Sequence, residues 1–137
     1  MAFRVTRALR MVVSKTSTGL VGLPVDVNGR ANLIALQKKI LESVKKIPEH
    51  VEYRKDVEAI SNYRLKVAEE NADEETIEQE INRGQLEELI EQGDYELKLI
   101  DKYYEWRLWE AVEKMNTGRK ELEEESAQSS VEGDSPK

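Results

Sequence analysis

The sequence contains no cysteine. Disulfides, thiolate metal sites and cysteine nucleophiles are therefore excluded. It has a single histidine, His50. A di-iron helical bundle draws Glu-x-x-His pairs from two helices, and one histidine cannot supply them. A Ser-His-Asp arrangement would also have to use His50, and no serine lies in a supporting motif. Neither a phosphate loop nor a dinucleotide fingerprint occurs. No apolar run approaches the ~20 residues needed to cross a bilayer. Strand signals are nearly absent. Glycine and proline are scarce, 7 and 3 in 137 residues, which favours helices. That length fits one domain with a modest core. The net charge of −7 disfavours general nucleic-acid binding, because phosphates attract basic patches.

Acidic residues are missing from one region. Residues 1–25 carry Arg4, Arg7, Arg10 and Lys15 and no Asp or Glu. On a helical wheel the three arginines share one side, with Val5, Leu9, Val12 and Val13 opposite. Such a start resembles a mitochondrial targeting segment. It is equally consistent with the basic, frayed terminus of a cytosolic protein.

What remains is helical. Asn28 is a plausible N-cap before an amphipathic run. There Leu33, Leu36, Ile40, Val44 and Ile47 share a narrow stripe, widened by Ile34 and Leu41. Pro48 ends this helix or opens the next. A second helix is expected over residues 48–70, with Tyr53, Val57, Ile60, Val67 and Ala68 inward and Arg64 in mid-stripe. Asp73 caps a third segment that begins near Glu74 and breaks at Asn82-Arg83-Gly84. From Gln85 its stripe is Leu86, Leu89, Ile90, Gly93, Leu97, Ile100 and Tyr104; Gly93 would let another helix approach closely. The expected fold is all-α, a small antiparallel three-helix bundle with an extended apolar N-terminal segment. Residues 120–137, rich in Glu, Ser and Gly, have almost nothing to bury and read as a disordered acidic tail.

Few residues could carry chemistry. Glu87, Glu88, Glu91 and Glu96 read as a solvated helix face. Arg64 must either pair with a glutamate of the third helix or reach another subunit, because an unpaired buried charge is costly. Tyr95, Leu99 and Trp106 fall nearly opposite the core stripe, and Trp109 comes where the helix should end. Aromatics on a second face suit a protein interface. The alternative is a bend that folds the rings back over the bundle end. The stretch Thr18-Gly-Leu-Val-Gly-Leu-Pro-Val25 has neither helical nor strand periodicity, yet it is strongly apolar. It needs a surface to dock on, either its own bundle or another protein.

These pieces, taken in order, form a pattern. Thr18–Val25 is followed by Lys46-Ile-Pro-Glu49, Tyr53-Arg-Lys55 and Arg64-Leu65. Then come Gly84-Gln-Leu-Glu-Glu-Leu-Ile-Glu-Gln92, Glu96-Leu-Lys-Leu-Ile100, Glu105-Trp106 and Trp109-Glu110. Over residues 18–110 the chain resembles the alpha-subcomplex subunit 5 family of mitochondrial NADH:ubiquinone oxidoreductase, respiratory complex I. The family usually has Trp-x-Pro-Trp near the end of the match, and here Leu108 stands in place of that proline.

The resemblance implies an accessory, non-catalytic subunit without flavin, iron–sulfur cluster or quinone. It implies a helical bundle on the matrix-facing peripheral arm at the mitochondrial inner membrane, against a core subunit of that arm. It favours the targeting reading of residues 1–17 and covers the bundle over 18–110; residues 111–137 lie outside it and read as an acidic, disordered tail. The expected partner-facing residues are then Leu20, Val21, Leu23 and Pro24, with Tyr95, Leu99, Trp106 and Trp109. The rival readings are a free helical adaptor or assembly factor outside complex I, and an enzyme with an unfamiliar carboxylate site.

Overall fold

The computed structural model describes residues 15–132, and every regular element within them is a helix. These are α1 (Gly29–Val44), α2 (Glu52–Glu70), α3 (Glu74–Ile81), α4 (Leu86–Trp106) and α5 (Leu108–Glu132).

Helix α1 is the centre. It buries Leu33, Leu36, Gln37, Ile40 and Val44, a helical spacing that turns one continuous stripe inward. The stripe feeds two apolar clusters. Leu33 meets Val67, Ala68, Ile77, Ile81, Leu86 and Leu89 at one end. Leu36, Ile40, Val44 and Ile47 meet Val51, Val57, Ile100 and Trp109 at the other. The start of α1 therefore lies by the end of α2 and the start of α4. So α2 runs antiparallel to α1, and α4 runs parallel to it, with α3 making the return. Each fully buried Leu, Ile or Val contributes roughly 1.5–3 kcal/mol.

The approach of α1 to α4 depends on Gly93. A Cβ at that position would drive into the Leu36 side chain. The absence of a side chain there is a packing requirement, as its place in the stripe implied.

The joints follow local chemistry. The α1–α2 connection is tied by Ile47 N–H to Val44 O (3.0 Å) and Val51 N–H to Pro48 O (3.1 Å). Arg54 Nη1 adds a bond to Ile47 O at 2.7 Å. Val51 is extended and buried, so α2 begins at Glu52 and Pro48 sits in the turn, four residues earlier than the helix it was expected to open. At the far end of α2, Arg30 Nε donates to Ala68 O (2.9 Å) and Asn71 O (2.8 Å). A cation is well placed at those terminal carbonyls. Asn82 (φ 51°) and Gly84 (φ 107°) produce the expected break before α4.

Three expectations are corrected. Ile60 and Tyr104 are about half exposed instead of joining the core. On α2, Ser61 takes the inward position that Ile60 was given. At the end of α4, Tyr103 does so, stacked on Tyr53 with ring centroids 4.3 Å apart. Trp109 is buried (7% exposed) instead of facing a partner: for this ring the alternative reading holds, a bend that folds it back over the bundle end. Arg107 adopts a left-handed conformation (φ 48°, ψ 49°), which ends α4 and turns the chain at once into α5. The first turn of α5 swings Trp109 back over the core, 6.0 Å from Tyr103 and 6.3 Å from Tyr104. Leu108 is then the first helical residue, the position that best tolerates proline.

Residues 120–132 are helical where an unstructured tail was expected. Glu, Lys, Arg, Leu and Gln are good helix formers, so a segment with little to bury still closes local hydrogen bonds. Ser129 and Ser130 hydroxyls donate to Ser126 O at 2.9 and 2.7 Å. Over residues 111–130, α5 is exposed apart from a half-buried Gly118.

Two substitutions test this packing. Gly93→Val should force α1 and α4 apart and cost about 1–3 kcal/mol, read as a lower urea midpoint. Trp109→Ala should cost about 3–5 kcal/mol, whereas Trp106→Ala should change stability by less than about 0.5 kcal/mol. Equal losses for the two tryptophans would refute the assignment of Trp109 to the core.

Candidate protein interface

The apolar loop is built around one hydroxyl. Thr18 is buried, and its Oγ1 donates to Leu23 O at 2.6 Å while accepting from Leu20 N–H at 3.2 Å. Gly19 (φ 73°) and Gly22 (φ 76°) supply the two left-handed positions this closure needs. Gln85 Nε2 then donates to Thr18 O at 2.6 Å and fixes the loop to the start of α4.

A charged pin completes the frame. Lys15 Nζ lies 2.5 Å from Glu87 Oε2 and 3.0 Å from Glu78 Oε1, and it also donates to Gln85 Oε1 at 3.0 Å. Glu87 Oε1 accepts from Asp26 N–H at 3.2 Å, on the far side of the loop. Glu78 Oε1 accepts from Leu86 N–H at 2.8 Å, and Glu88 Oε2 from Gln85 N–H at 2.7 Å, so the first turn of α4 is satisfied. Burial opposes the Lys15 ammonium, but its bonds to Glu87 and Glu78 outweigh that and raise its pKa above the ordinary lysine value. Burial likewise opposes the Glu87 carboxylate. The bond from Lys15, backbone N–H donors and the Lys15 charge overcome it and hold the carboxyl below the usual range.

Glu87 is thus buried, not part of the solvated face expected for residues 87–96. Periodicity carries no signal for it, because Lys15, the cation it pairs with, lies 72 residues away in the chain. The targeting segment expected over residues 1–17 falls mostly outside the described residues, but Lys15 is part of the folded frame.

The polar frame faces inward, and the apolar tip faces out. Leu20 is 44% exposed, Val21 is fully exposed, Pro24 is exposed and Leu23 is half-buried. A second apolar surface runs along α4, where Tyr95, Leu99 and Trp106 are all exposed at helical spacing. Lys98 and Lys102 lie over the rings of Tyr95 and Trp106, each 5.4 Å from the centroid. Helix α4 thus organises both surfaces, the loop at its first turn and the aromatic stripe along its second half. Trp109, expected with them, is inside. Arg64 finds no carboxylate within ion-pair distance among the described residues; its Nη2 reaches only Gln92 Oε1, at 3.4 Å.

His50 pairs with Glu113 at 2.9 Å on the exposed side. Among the described residues no three His, Asp or Glu side chains converge as a metal site would require. No described helix is long and apolar enough to cross a membrane.

Residues 22–88 match the family described as "ETC complex I subunit conserved region". Over 98 residues the chain is 38% identical to NADH dehydrogenase (ubiquinone) 1 alpha subcomplex subunit 5 of Bos taurus, covering 72% of this chain and 84% of that one. The chain belongs to this family. The Rattus norvegicus protein of the same name is also 38% identical, with the same coverage. A probable mitochondrial subunit 5 of Arabidopsis thaliana is 47% identical over 95 residues, which span 69% of this chain but only 56% of the plant protein. Subunit 5 proteins are accessory, non-catalytic parts of complex I, and this member is a helical one. The family-matched residues hold much of the loop frame, from Gly22 through Asp26 to Gln85 and Glu87, whereas the aromatic stripe of α4 lies beyond them.

The pin has a signed pH dependence. Glu87, with its depressed pKa, contributes stability that is present above the ordinary carboxylate pKa and is lost as pH falls. Lys15, with its raised pKa, contributes stability that is present below its ordinary value of 10.5 and is lost above it. Lys15→Met should therefore cost about 1–2 kcal/mol at pH 7, less than a fully buried pair because the ammonium is partly open to water. In urea melts the gap between wild type and variant should close below about pH 4, where carboxylates protonate. A gap that stays constant down to pH 3 would show that the pair is not its source.

Proposed function

We propose that this chain stabilises the matrix-facing peripheral arm of complex I by burying its loop tip and its α4 stripe against neighbouring subunits. It performs no reaction there and supports electron transfer from NADH to ubiquinone only indirectly. A core subunit of that arm is its principal partner. Helices α1, α2 and α4 serve as a three-helix platform formed within residues 18–110, and α5 continues beyond it. The platform lies on the matrix side of the mitochondrial inner membrane.

One observation carries this reading. The loop's polar groups are locked to the start of α4, yet Val21 is fully exposed and Leu20 nearly half exposed. A rigid loop holding aliphatic side chains in water is pre-organised for a partner, because its ordering entropy is already spent. Trp106, 62% exposed, extends the available apolar surface. The names of the bovine, rat and plant relatives place those proteins in the NADH dehydrogenase alpha subcomplex, which supports the same assignment.

The test is incorporation. The double variant Val21→Ser with Trp106→Ala should remain helical and melt like wild type, yet be strongly depleted from complex I on a native gel. Interface anchors of this kind commonly cost about 2 kcal/mol or more on truncation. Normal incorporation would remove both anchors from the account. Migration of the wild-type chain apart from complex I would favour the free adaptor.

A further inference from the structure

Between α2 and α4, with α1 as its floor, lies an open groove of about 550 Å³. Its walls are exposed apolar side chains, Ile60 from α2 and Tyr95 and Leu99 from α4. Its floor is unusual. Gln37 is 1% exposed, and its Nε2 has no hydrogen-bond partner among the described residues. A buried amide donor left unmatched is unfavourable, so this group is destabilising unless something else completes it. Gly93, opposite Leu36 and Ile40, keeps the floor free of a side chain from α4.

Arg64 stands in the same groove, half-buried and without a carboxylate at ion-pair distance among the described residues. Glu96, the acid lining the groove with it, accepts the hydroxyl of Tyr53. Burial, and then the neighbouring Arg83 charge, press against the Arg64 cation, and the Glu96 charge offsets them only in part. An incoming carboxylate would relieve both.

We infer that the α2–α4 groove receives a peptide segment of a neighbouring complex I subunit, one that offers an aliphatic side chain to Ile60, Tyr95 and Leu99, a carboxylate to Arg64 and a carbonyl oxygen to Gln37. The inference rests on the subunit assignment above and specifies its binding chemistry. The apolar walls supply contact area. The amide and guanidinium set the register, because each is satisfied only when the right oxygen arrives.

The experiment uses the full chain assembled in mitochondria. A photoreactive benzoylphenylalanine is placed at Leu99, the complex is irradiated, and the adduct is excised from the complex I band and sequenced by mass spectrometry. The expected adduct is a peptide of another subunit with Asp, Glu or a C-terminal carboxylate within a few residues of the crosslink. Arg64→Glu should reduce its yield about tenfold, a loss of 1.4 kcal/mol, while Arg64→Lys retains most of it. Gln37→Met should raise the melting temperature of the purified chain, by removing the unmatched amide, and still lower the adduct yield. An assembled chain with no adduct, an adduct on a peptide without an acid, or a yield unchanged by Arg64→Glu overturns the groove assignment alone. A chain absent from the complex I band overturns the subunit assignment, and this inference with it.

Discussion

Everything in this fold depends on α1 being buried from two sides at once. Its stripe supplies both apolar clusters, and neither α2 nor α4 has an equivalent stripe for the other. The closeness of α4 is set by Gly93, where any side chain would meet Leu36. That geometry has a consequence on the opposite side. Because α2 and α4 pack mainly on α1 and touch each other only through side chains such as Tyr53 and Tyr103, they leave a groove between them with Gln37 at its base. Core and recognition surface are thus two faces of one packing choice, and a residue such as Gly93 belongs to both.

The loop obeys a different logic. Apolar packing does not hold it, since its aliphatic tips face water. What holds it is a set of polar bonds converging on the first turn of α4: Thr18, Gln85, Glu87 and Lys15. This inverts the usual arrangement, in which apolar groups anchor a loop and polar groups face out. A pin of this type stabilises the isolated subunit only modestly. It does fix where Leu20 and Val21 stand, and that placement determines whether they can fit a partner. Glu87 therefore acts through position, by joining the segment before the loop (Lys15) to the segment after it (Asp26).

Periodicity made most of the core legible. Leu33, Leu36, Ile40, Val44 and Ile47 all carry their stripe into the interior, as do Val57, Val67, Leu86, Leu89 and Ile100. The break at residues 82–84 was visible because asparagine and glycine tolerate left-handed backbone. Three kinds of information were not legible. Long-range polar pairs such as Lys15–Glu87 leave no periodic trace, so Glu87 looked like any exposed helix glutamate. The reversal at Arg107 uses a residue with no left-handed preference, and only tertiary packing of Trp109 and the tyrosines accounts for it. Low hydrophobicity in residues 120–132 signalled the absence of a core to join, and that was misread as an absence of helix. Local hydrogen bonding and burial are separate questions, and the sequence of α5 answers them differently. Arg64 and Gln37 mark a further limit. Both lie on helix faces that face the interior, and whether a polar residue there is paired depends on neighbours from other helices.

A subunit whose task is burial faces a conflict before it reaches its partner, because the same apolar side chains invite unwanted association. The α4 stripe carries a partial answer. The ammonium groups of Lys98 and Lys102 lie over the rings of Tyr95 and Trp106, and their aliphatic stems cover part of the exposed surface. Such covers cost little to displace, since an exposed cation–π contact is worth only about 0.5–1 kcal/mol. The negative net charge adds general repulsion between copies. Val21 has neither ring nor lysine over it, but the loop that bears it is short and bounded by glycines, so it presents no strand edge on which another chain could extend. The exposed apolar residues are therefore divided between the loop tip and the α4 stripe, and only a partner shaped to reach both recovers the full energy of burying them.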